Sequence, residues 1–351
     1  MNAVTIKDVA LAAGVSPATA SRVLSGNPAT SPASRARVEA AAKELRFLPN
    51  AQARSLRSTK TESIALLISD VRNPYFSDLA HAVEQHARAA GLMTFMGNAN
   101  ESAEQQDEFL TTMLSRRVDG MILVPQGLSE TSGQASDMML RVVDAGIPVV
   151  FVDRTLADAQ VPSVTARSRE ALEEAIALLK ANGHRKIAFI GGPEHASTAL
   201  ERHDGFDAAL LANNLSTDPA LHFAGDFRSA SGAEGARWFL AHPERPTAVI
   251  IADAPMAIGA LSVWREKNLA VGTDFSVVSF DEVDALLLHN PPIATIAHDL
   301  QAMGRAAVES LLAVMNHHEV RAVELSSTFT PRPSVGPTPD DEVHMEGSPR
   351  P

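Results

Sequence analysis

The stretch Thr5-Ile6-Lys7-Asp8-Val9-Ala10-Leu11-Ala12-Ala13-Gly14-Val15-Ser16-Pro17-Ala18-Thr19-Ala20-Ser21-Arg22-Val23-Leu24 decides how the chain begins to fold. Thr5 can cap a helix that starts at Ile6, with Asp8 at its third position. Ile6, Val9, Ala10 and Ala13 recur at helical spacing and form one apolar face. Gly14 is suited to a left-handed C-cap. Val15 alone separates it from Ser16, a second N-cap, and Pro17 takes the first helical position, where a missing N–H costs nothing. This second helix runs to about Leu24 and is closed by Gly26-Asn27-Pro28. A third opens at Ser31-Pro32 and carries Val38, Ala42 and Leu45 on one side. Two capped helices joined by a tight glycine turn predict a helix-turn-helix. Ala20, Val23 and Leu24 face the bundle; Pro17, Ala18, Ser21 and Arg22 face away, a low stripe that a major groove can admit.

Charge supports that orientation. The chain of 351 residues carries a formal net charge of -12, which by itself argues against a polyanionic partner. Residues 1–60, however, hold nine Lys/Arg against three Asp/Glu, a balance of +6. The remainder holds 21 basic and 39 acidic residues, a balance of -18. A basic head on an acidic body is the electrostatic footprint of a DNA-binding module joined to something else.

Outward from the head, Arg46 to Arg57 forms a separate segment. Pro49 blocks continuation of the third helix, Asn50 can cap a new one, and only about eight residues follow. So short a helix is marginal alone in water, which predicts a linker that becomes helical only with support. From Ser63 the pattern changes to strand-length apolar runs alternating with helices. Ile64–Ile68, Leu92–Met96, Met121–Val124 and Pro148–Val152 form one set. Lys186–Ile190, Leu221–Phe223, Ala248–Ile251 and Ser276–Phe280 form another. Such alternation predicts parallel sheets covered on both faces, and the number of units predicts two doubly wound subdomains. Ligands in these folds bind beyond the carboxyl ends of the strands. Pro337 to Pro351, rich in proline, glycine and acids, reads as disordered.

Several classes are set aside. No apolar run is long enough to span a bilayer, and the N-terminus has no signal-peptide pattern, so a cytoplasmic, nucleoid-associated location without a membrane partner is expected. The absence of cysteine excludes disulfides and thiol chemistry. A periplasmic ligand-binding protein would suit the core but not the head or the missing signal. Gly191-Gly192-Pro193 follows a strand, yet neither dinucleotide nor P-loop spacing occurs. No catalytic residues, cofactor or metal ligands are expected.

Thr5 to Leu24 together with Leu48-Pro49-Asn50-Ala51-Gln52-Ala53-Arg54-Ser55-Leu56 resembles the headpiece and hinge of the lac repressor family. The likeness continues through Asn73-Pro74-Tyr75-Phe76, Gly183-His184-Arg185-Lys186-Ile187, Glu201-Arg202-His203-Asp204-Gly205-Phe206 and Ser279-Phe280-Asp281, covering roughly residues 5–334. It implies an α/β chain: an all-α helix-turn-helix headpiece (1–48), a hinge (49–60) and a periplasmic-binding-protein-like core of two doubly wound subdomains (61–334), followed by a disordered tail (335–351). The N-subdomain takes about 61–162 and 293–320, the C-subdomain about 163–292 and 321–334. The partners implied are double-stranded operator DNA, a small-molecule effector and a second copy of the chain. The implied DNA contacts are Thr5, Ser16, Pro17, Ala18, Thr19, Ser21, Arg22 and Asn27 in the headpiece, and Asn50, Ala53 and Leu56 in the hinge. Arg22 would read a guanine edge, Thr19 and Ser21 would hold phosphates, and Leu56 would wedge into the minor groove. Leu56→Ala is accordingly expected to weaken specific binding sharply while leaving effector affinity unchanged, a result checked by operator and effector titrations on one preparation.

In the core, the resemblance implies effector contacts from Arg202, Asp281 and Phe227, with Asn73 and Phe76 from the first strand-to-helix loop and Asp153 from another strand end. Where many relatives have Asn-Asp, this chain has Asp253-Ala254, so Asp253 is an additional carboxylate. Arg167-Ser168 and Ala294-Thr295 are further departures. One arginine, several carboxylates and aromatic faces suit a polyhydroxylated ligand, a sugar or its derivative.

Overall fold

The computed structural model describes residues 4–24, 29–47, 61–129 and 133–339. The chain divides into two compact units, Met1–Thr61 and Glu62–Pro351. Asn27, Asn50, Ala53 and Leu56 lie outside the described residues.

Among its described residues the first unit holds three helices: α1 (Ile6–Ala12), α2 (Pro17–Leu24) and α3 (Pro32–Glu44). Thr5 donates to the Asp8 carboxylate from both its N–H and its hydroxyl, at 2.7 Å each. These bonds hold the Asp8 carboxyl below its ordinary range. Gly14 turns the chain at φ +62°. Ser16 Oγ accepts from the Thr19 N–H at 3.1 Å, and Ser31 Oγ from that of Ser34 at 3.2 Å. Val9, Ala10, Ala13, Ala20, Val23, Val38 and Ala41 form its small core.

The second unit contains two six-stranded sheets. The first has the order β11-β5-β4-β3-β1-β2 and is wholly parallel. Its strands are β1 (Ser63–Ile68), β2 (Met93–Asn98), β3 (Gly120–Leu123), β4 (Val149–Val152), β5 (Ser163–Arg167) and β11 (Val323–Ser326). Every residue of β1 is buried because both faces are covered. Ile64, Leu66 and Ile68 join one core with α4 (Pro74–Ala89) and α12 (Leu300–Met315), while Ala65 and Leu67 join another with α5 (Ala103–Arg116) and α6 (Asp137–Asp144). A continuous apolar run, rather than strict alternation, is what a strand buried on two sides requires.

The second sheet has the order β12-β10-β9-β8-β6-β7. It comprises β6 (Ile187–Gly191), β7 (His222–Ala224), β8 (Ala248–Ile251), β9 (Ser276–Phe280), β10 (Ala294–Ala297) and β12 (Thr328–Thr330), with only β12 antiparallel. Around it lie α7 (Arg169–Ala181), α8 (Ser197–Ala212), α9 (Ser229–Ala241), α10 (Ala254–Glu266) and the short α11 (Asp284–Leu287). The α9 and α10 backbones touch: a Cβ at Gly259 would stand 1.9 Å from the Ser229 carbonyl oxygen.

Four boundaries differ from expectation. Strand 163–167 hydrogen-bonds to β4 and so belongs to the first lobe, not the second. Conversely, β10 pairs with β9 in the second lobe, although 293–320 was assigned wholly to the first. After β10 the chain crosses to α12, whose Met303, Ala307 and Leu311 pack in the first-lobe core. The 321–334 stretch is split as well, β11 pairing in the first sheet and β12 in the second. The expected tail at 335–351 also begins too early. Gly336 donates its N–H to Ser276 Oγ at 3.0 Å, and its carbonyl stands 3.1 Å from His184 Nε2. Thr338 donates from its N–H to the Asn182 carbonyl at 2.8 Å. Proline and glycine content misled there, because these backbone groups find buried partners in the second lobe.

Candidate functional site

On the headpiece, Pro17, Ala18 and Arg22 are exposed along one side of α2, while Ala20 and Val23 are buried on the other. Arg22 lies flat, its Nε donating to the Ala18 carbonyl at 3.3 Å. Thr19 and Ser16 share a hydroxyl contact of 2.9 Å. The turn of Gly14 and the two caps thus present a smooth helix face with a single guanidinium.

In the core, Asn73, Phe76, Asp153, Arg202, Phe227, Asp253 and Asp281, all buried, line one narrow cavity between the two lobes. Tyr75, Glu101, Arg154 and Thr198 complete its wall. Except for Arg202, which lies within α8, each predicted residue sits near a strand end or a helix start. Asn73 caps α4, its Oδ1 accepting from the Tyr75 N–H at 3.1 Å. Asp153, Phe227 and Asp281 follow β4, β7 and β9 and adopt left-handed backbone angles of φ +68°, +62° and +65°. Left-handed angles in non-glycine residues cost about 1–3 kcal/mol each and persist only where the surroundings enforce them. Gly192, directly after β6, has a packing role here: a Cβ there would lie 2.2 Å from the Phe227 ring.

The polar groups divide into satisfied and unsatisfied. Arg154 and Glu101 form a buried two-pronged ion pair at 2.6 and 2.9 Å. Asp153 Oδ2 makes a longer ion pair with the Arg154 Nε at 3.7 Å. Asp153 Oδ1 accepts from the Tyr75 hydroxyl at 2.6 Å. Burial first, and then that carboxylate, hold the Tyr75 phenol well above its ordinary pKa, so it remains the donor. The Arg154 guanidinium lies 5.2 Å from the Phe227 ring centre and 5.8 Å from that of Phe76.

Arg202 stacks 4.5 Å from the Phe280 ring centre and donates to the Ala252 carbonyl. Its Nη2 is 3.9 Å from Asp281 Oδ1 and 3.4 Å from His298 Nε2. Asp253 uses Oδ1 to cap α10, accepting from the Met256 N–H at 2.8 Å. Its Oδ2, and Oδ1 of Asp281, are buried without a hydrogen-bond partner. Desolvation pushes both carboxyls up: Asp253, with the Asp281 charge beside it, well above its ordinary range, and Asp281 against the opposing Arg202 charge. Buried acceptors without partners cost about 1–3 kcal/mol each, a cost a ligand donor removes.

The three segments that cross between lobes meet beside this cavity. Ser327, the single residue between β11 and β12, donates its hydroxyl to the Arg167 carbonyl at 2.8 Å and sits 2.9 Å from His298 Nδ1. Arg202 can only donate, so His298 Nε2 accepts and its Nδ1 carries the proton toward Ser327. Burial, and then the Arg202 charge, push the His298 pKa down to about 3. Arg167 contributes only its backbone: its side chain is half-exposed and pairs with Glu170 at 3.0 Å and Glu324 at 3.6 Å.

Residues 5–50 match the model of bacterial regulatory proteins of the lacI family, and residues 176–335 that of a periplasmic binding protein-like domain. The HTH-type transcriptional repressor PurR of Aliivibrio salmonicida is 31% identical over 335 residues, 94% of this chain and 98% of that protein. The chain belongs to the lacI family. Among solved structures, the lac repressor dimer bound to operator and the anti-inducer ONPF superposes with a TM-score of 0.83 at 28% identity, covering 95% of this chain and all of the other. The transcriptional regulator CelR in complex with cellobiose superposes at 0.70 with 27% identity, covering 94% and 99%. This lacI-family protein is a DNA-binding transcriptional repressor with a ligand-binding core, not an enzyme. No helix among the described residues is long and apolar enough to cross a membrane.

Four wall residues of this lacI-family core escaped sequence reasoning. Glu101 and Arg154 lie 53 positions apart, so no local spacing announces their pair. Tyr75 was present in the quoted Asn73-Pro74-Tyr75-Phe76 motif, and its position in the first turn of a helix opening on a cleft was the available signal. Thr198 lies in the first turn of α8, which starts at Ser197. No side chain caps that helix end, so sequence offered no marker.

The unusual Asp253 yields a direct test. For a carboxyl whose pKa rises on folding, the folded state binds more protons, so stability falls as pH climbs through the interval between unfolded and folded pKa values. Asp253→Asn retains a capping oxygen of equal quality and removes that charge. The variant is expected to equal or exceed the parent in thermal midpoint at pH 8 and to lose less stability between pH 4 and 8. A midpoint clearly below the parent's at pH 8 would contradict the unpaired-carboxylate account.

Proposed function

We propose that this repressor binds a palindromic operator as a homodimer and is switched by a small polyhydroxylated metabolite, a sugar or sugar derivative, in the interlobe cavity. Its targets would then be genes for carbohydrate uptake and use. The reading rests on the two unpartnered carboxylate oxygens of Asp253 and Asp281 in a wall that also holds Phe76 and Phe227. Hydroxyl donors satisfy both oxygens, and the apolar ring face of a sugar suits the phenyl groups. An anionic ligand is disfavoured by four acids in the wall against Arg154 and Arg202, of which Arg154 is already paired with Glu101. The solved neighbour holding cellobiose is in keeping with this chemistry. Effector binding draws the lobes together about the Arg167, His298 and Ser327 crossings, moving the first lobe, whose leading strand continues from the hinge. A coupling of about 1–3 kcal/mol suffices for such a switch.

The test is a thermal-shift and calorimetric screen of the full chain with monosaccharides, disaccharides, polyols, nucleosides and free purine bases, repeated with operator bound. A hydroxyl-rich hit that alters operator affinity supports the reading; a response confined to bases lacking hydroxyls overturns it. On the DNA side, Arg22→Ala is expected to cost about 1–3 kcal/mol of operator affinity and to relax preference at one base pair per half-site. Uniform weakening across all sequences in a binding-site selection would reassign Arg22 to phosphate contact.

A further inference from the structure

Outside the cavity, one group of side chains has no role in the switch. His203 and Asp207 stand one turn apart on α8, and His222 opens β7 beside them. One ligand-capable atom from each lies within 4.8 Å of the others. The His203 and His222 rings are 4.6 Å apart between centres. His222 Nε2 is 3.3 Å from Asp207 Oδ1, yet Asp207 Oδ1 is buried without a hydrogen-bond partner. For metal–ligand bonds of about 2.0–2.1 Å, the edge of a tetrahedron is roughly 3.3 Å, which that separation matches.

We propose that His203, Asp207 and His222 form a site for a divalent transition-metal ion of the zinc or cobalt type. Two imidazoles and one carboxylate are a donor set that such ions select over magnesium or calcium. The ligands come from two elements already held together: the His222 ring packs at 5.4 and 5.9 Å from those of Phe206 and Phe189. His203 is 46% exposed and free to swing the remaining distance, and Asp204 Oδ1 lies 3.5 Å from its Nδ1. Asp204 thus provides the outer carboxylate that commonly orients a ligating histidine, leaving Nε2 for the ion. Three protein ligands leave a fourth position for water. Sequence reading expected no metal ligands, because the set joins two positions one turn apart on α8 to a histidine on a separate strand.

The full chain, stripped with chelator and dialysed, is titrated with Zn²⁺ by calorimetry and with Co²⁺ by visible absorption. The expected result is one ion per chain with micromolar or tighter affinity, visible bands for bound Co²⁺, and a thermal midpoint that rises with ion concentration. His203→Ala and Asp207→Asn, both at partly exposed positions that tolerate change, should each weaken binding at least about tenfold. His222→Gln provides a third variant, read only if its unliganded midpoint matches the parent's. Binding weaker than about 1 mM, or equal binding by the parent and both exposed-site variants, overturns the proposal and leaves the cluster as ring packing.

Discussion

Replacing Arg202 by methionine is expected to abolish the effector response while operator binding without effector persists. The guanidinium is buried, stacks on Phe280, and donates to the Ala252 carbonyl. It is also the cation nearest Asp281, at 3.9 Å. Methionine fills comparable volume and keeps the stacked apolar stem, so what disappears is charge and hydrogen bonding. Truncating one member of a buried, hydrogen-bonded charged set costs about 2–5 kcal/mol of ligand affinity, which is roughly 30-fold to several thousand-fold. Asp281 loses the charge that lowers its pKa and becomes still harder to ionise. Thermal stability of the core should fall in parallel, because the Ala252 carbonyl and His298 Nε2 both lose a donor. The readout is effector-dependent operator release, measured alongside the melting curve. A variant that melts lower yet responds at the parental effector concentration would remove Arg202 from ligand recognition.

The second large effect concerns acid. His298 has its pKa pushed down to about 3, from an ordinary value of 6.5. Between those values the unfolded chain binds a proton that the folded chain refuses, so stability is complete above pH 6.5 and is lost as pH falls toward 3. A shift of this size corresponds to at most about 5 kcal/mol. The residual solvent access of the ring reduces that to about 2–4 kcal/mol. The Arg202 charge beside Nε2 contributes to the refusal, and protonation there would break the contact between the crossing segments and the arginine. His298→Gln should therefore melt lower than the parent at pH 7.5 but show a flatter decline between pH 6.5 and 4. Parallel pH profiles for the two proteins would show that other groups carry the acid sensitivity.

Much of this architecture was legible because its determinants are local. Ala248–Ile251 and Ser276–Phe280 are buried on both faces and read directly as apolar runs. Asn73-Pro74 and Ser31-Pro32 announce helix starts through a capping oxygen and a proline that needs no N–H. What escaped depends on partners distant in sequence. β5, Ser-Val-Thr-Ala-Arg, is half-buried and short, and its membership in the first sheet is settled by its neighbours β4 and β11. The seven candidate cleft residues were named through resemblance and strand-end position, and all seven line one cavity. The orphaned oxygens of Asp253 and Asp281, by contrast, follow from packing that no linear motif records.

The docking of Gly336 and Thr338 on the second lobe bears on how this repressor is handled at the bench. Gly336 sits against His184 and Ser276, whose side chains also engage each other at 2.8 Å. An affinity tag or reporter spliced in directly after Ser334 would strip those partners away and leave a histidine and a serine to find new ones. The same graft placed beyond Pro339 spares every contact of that strap, so the junction, more than the cargo, governs whether a fusion stays well behaved.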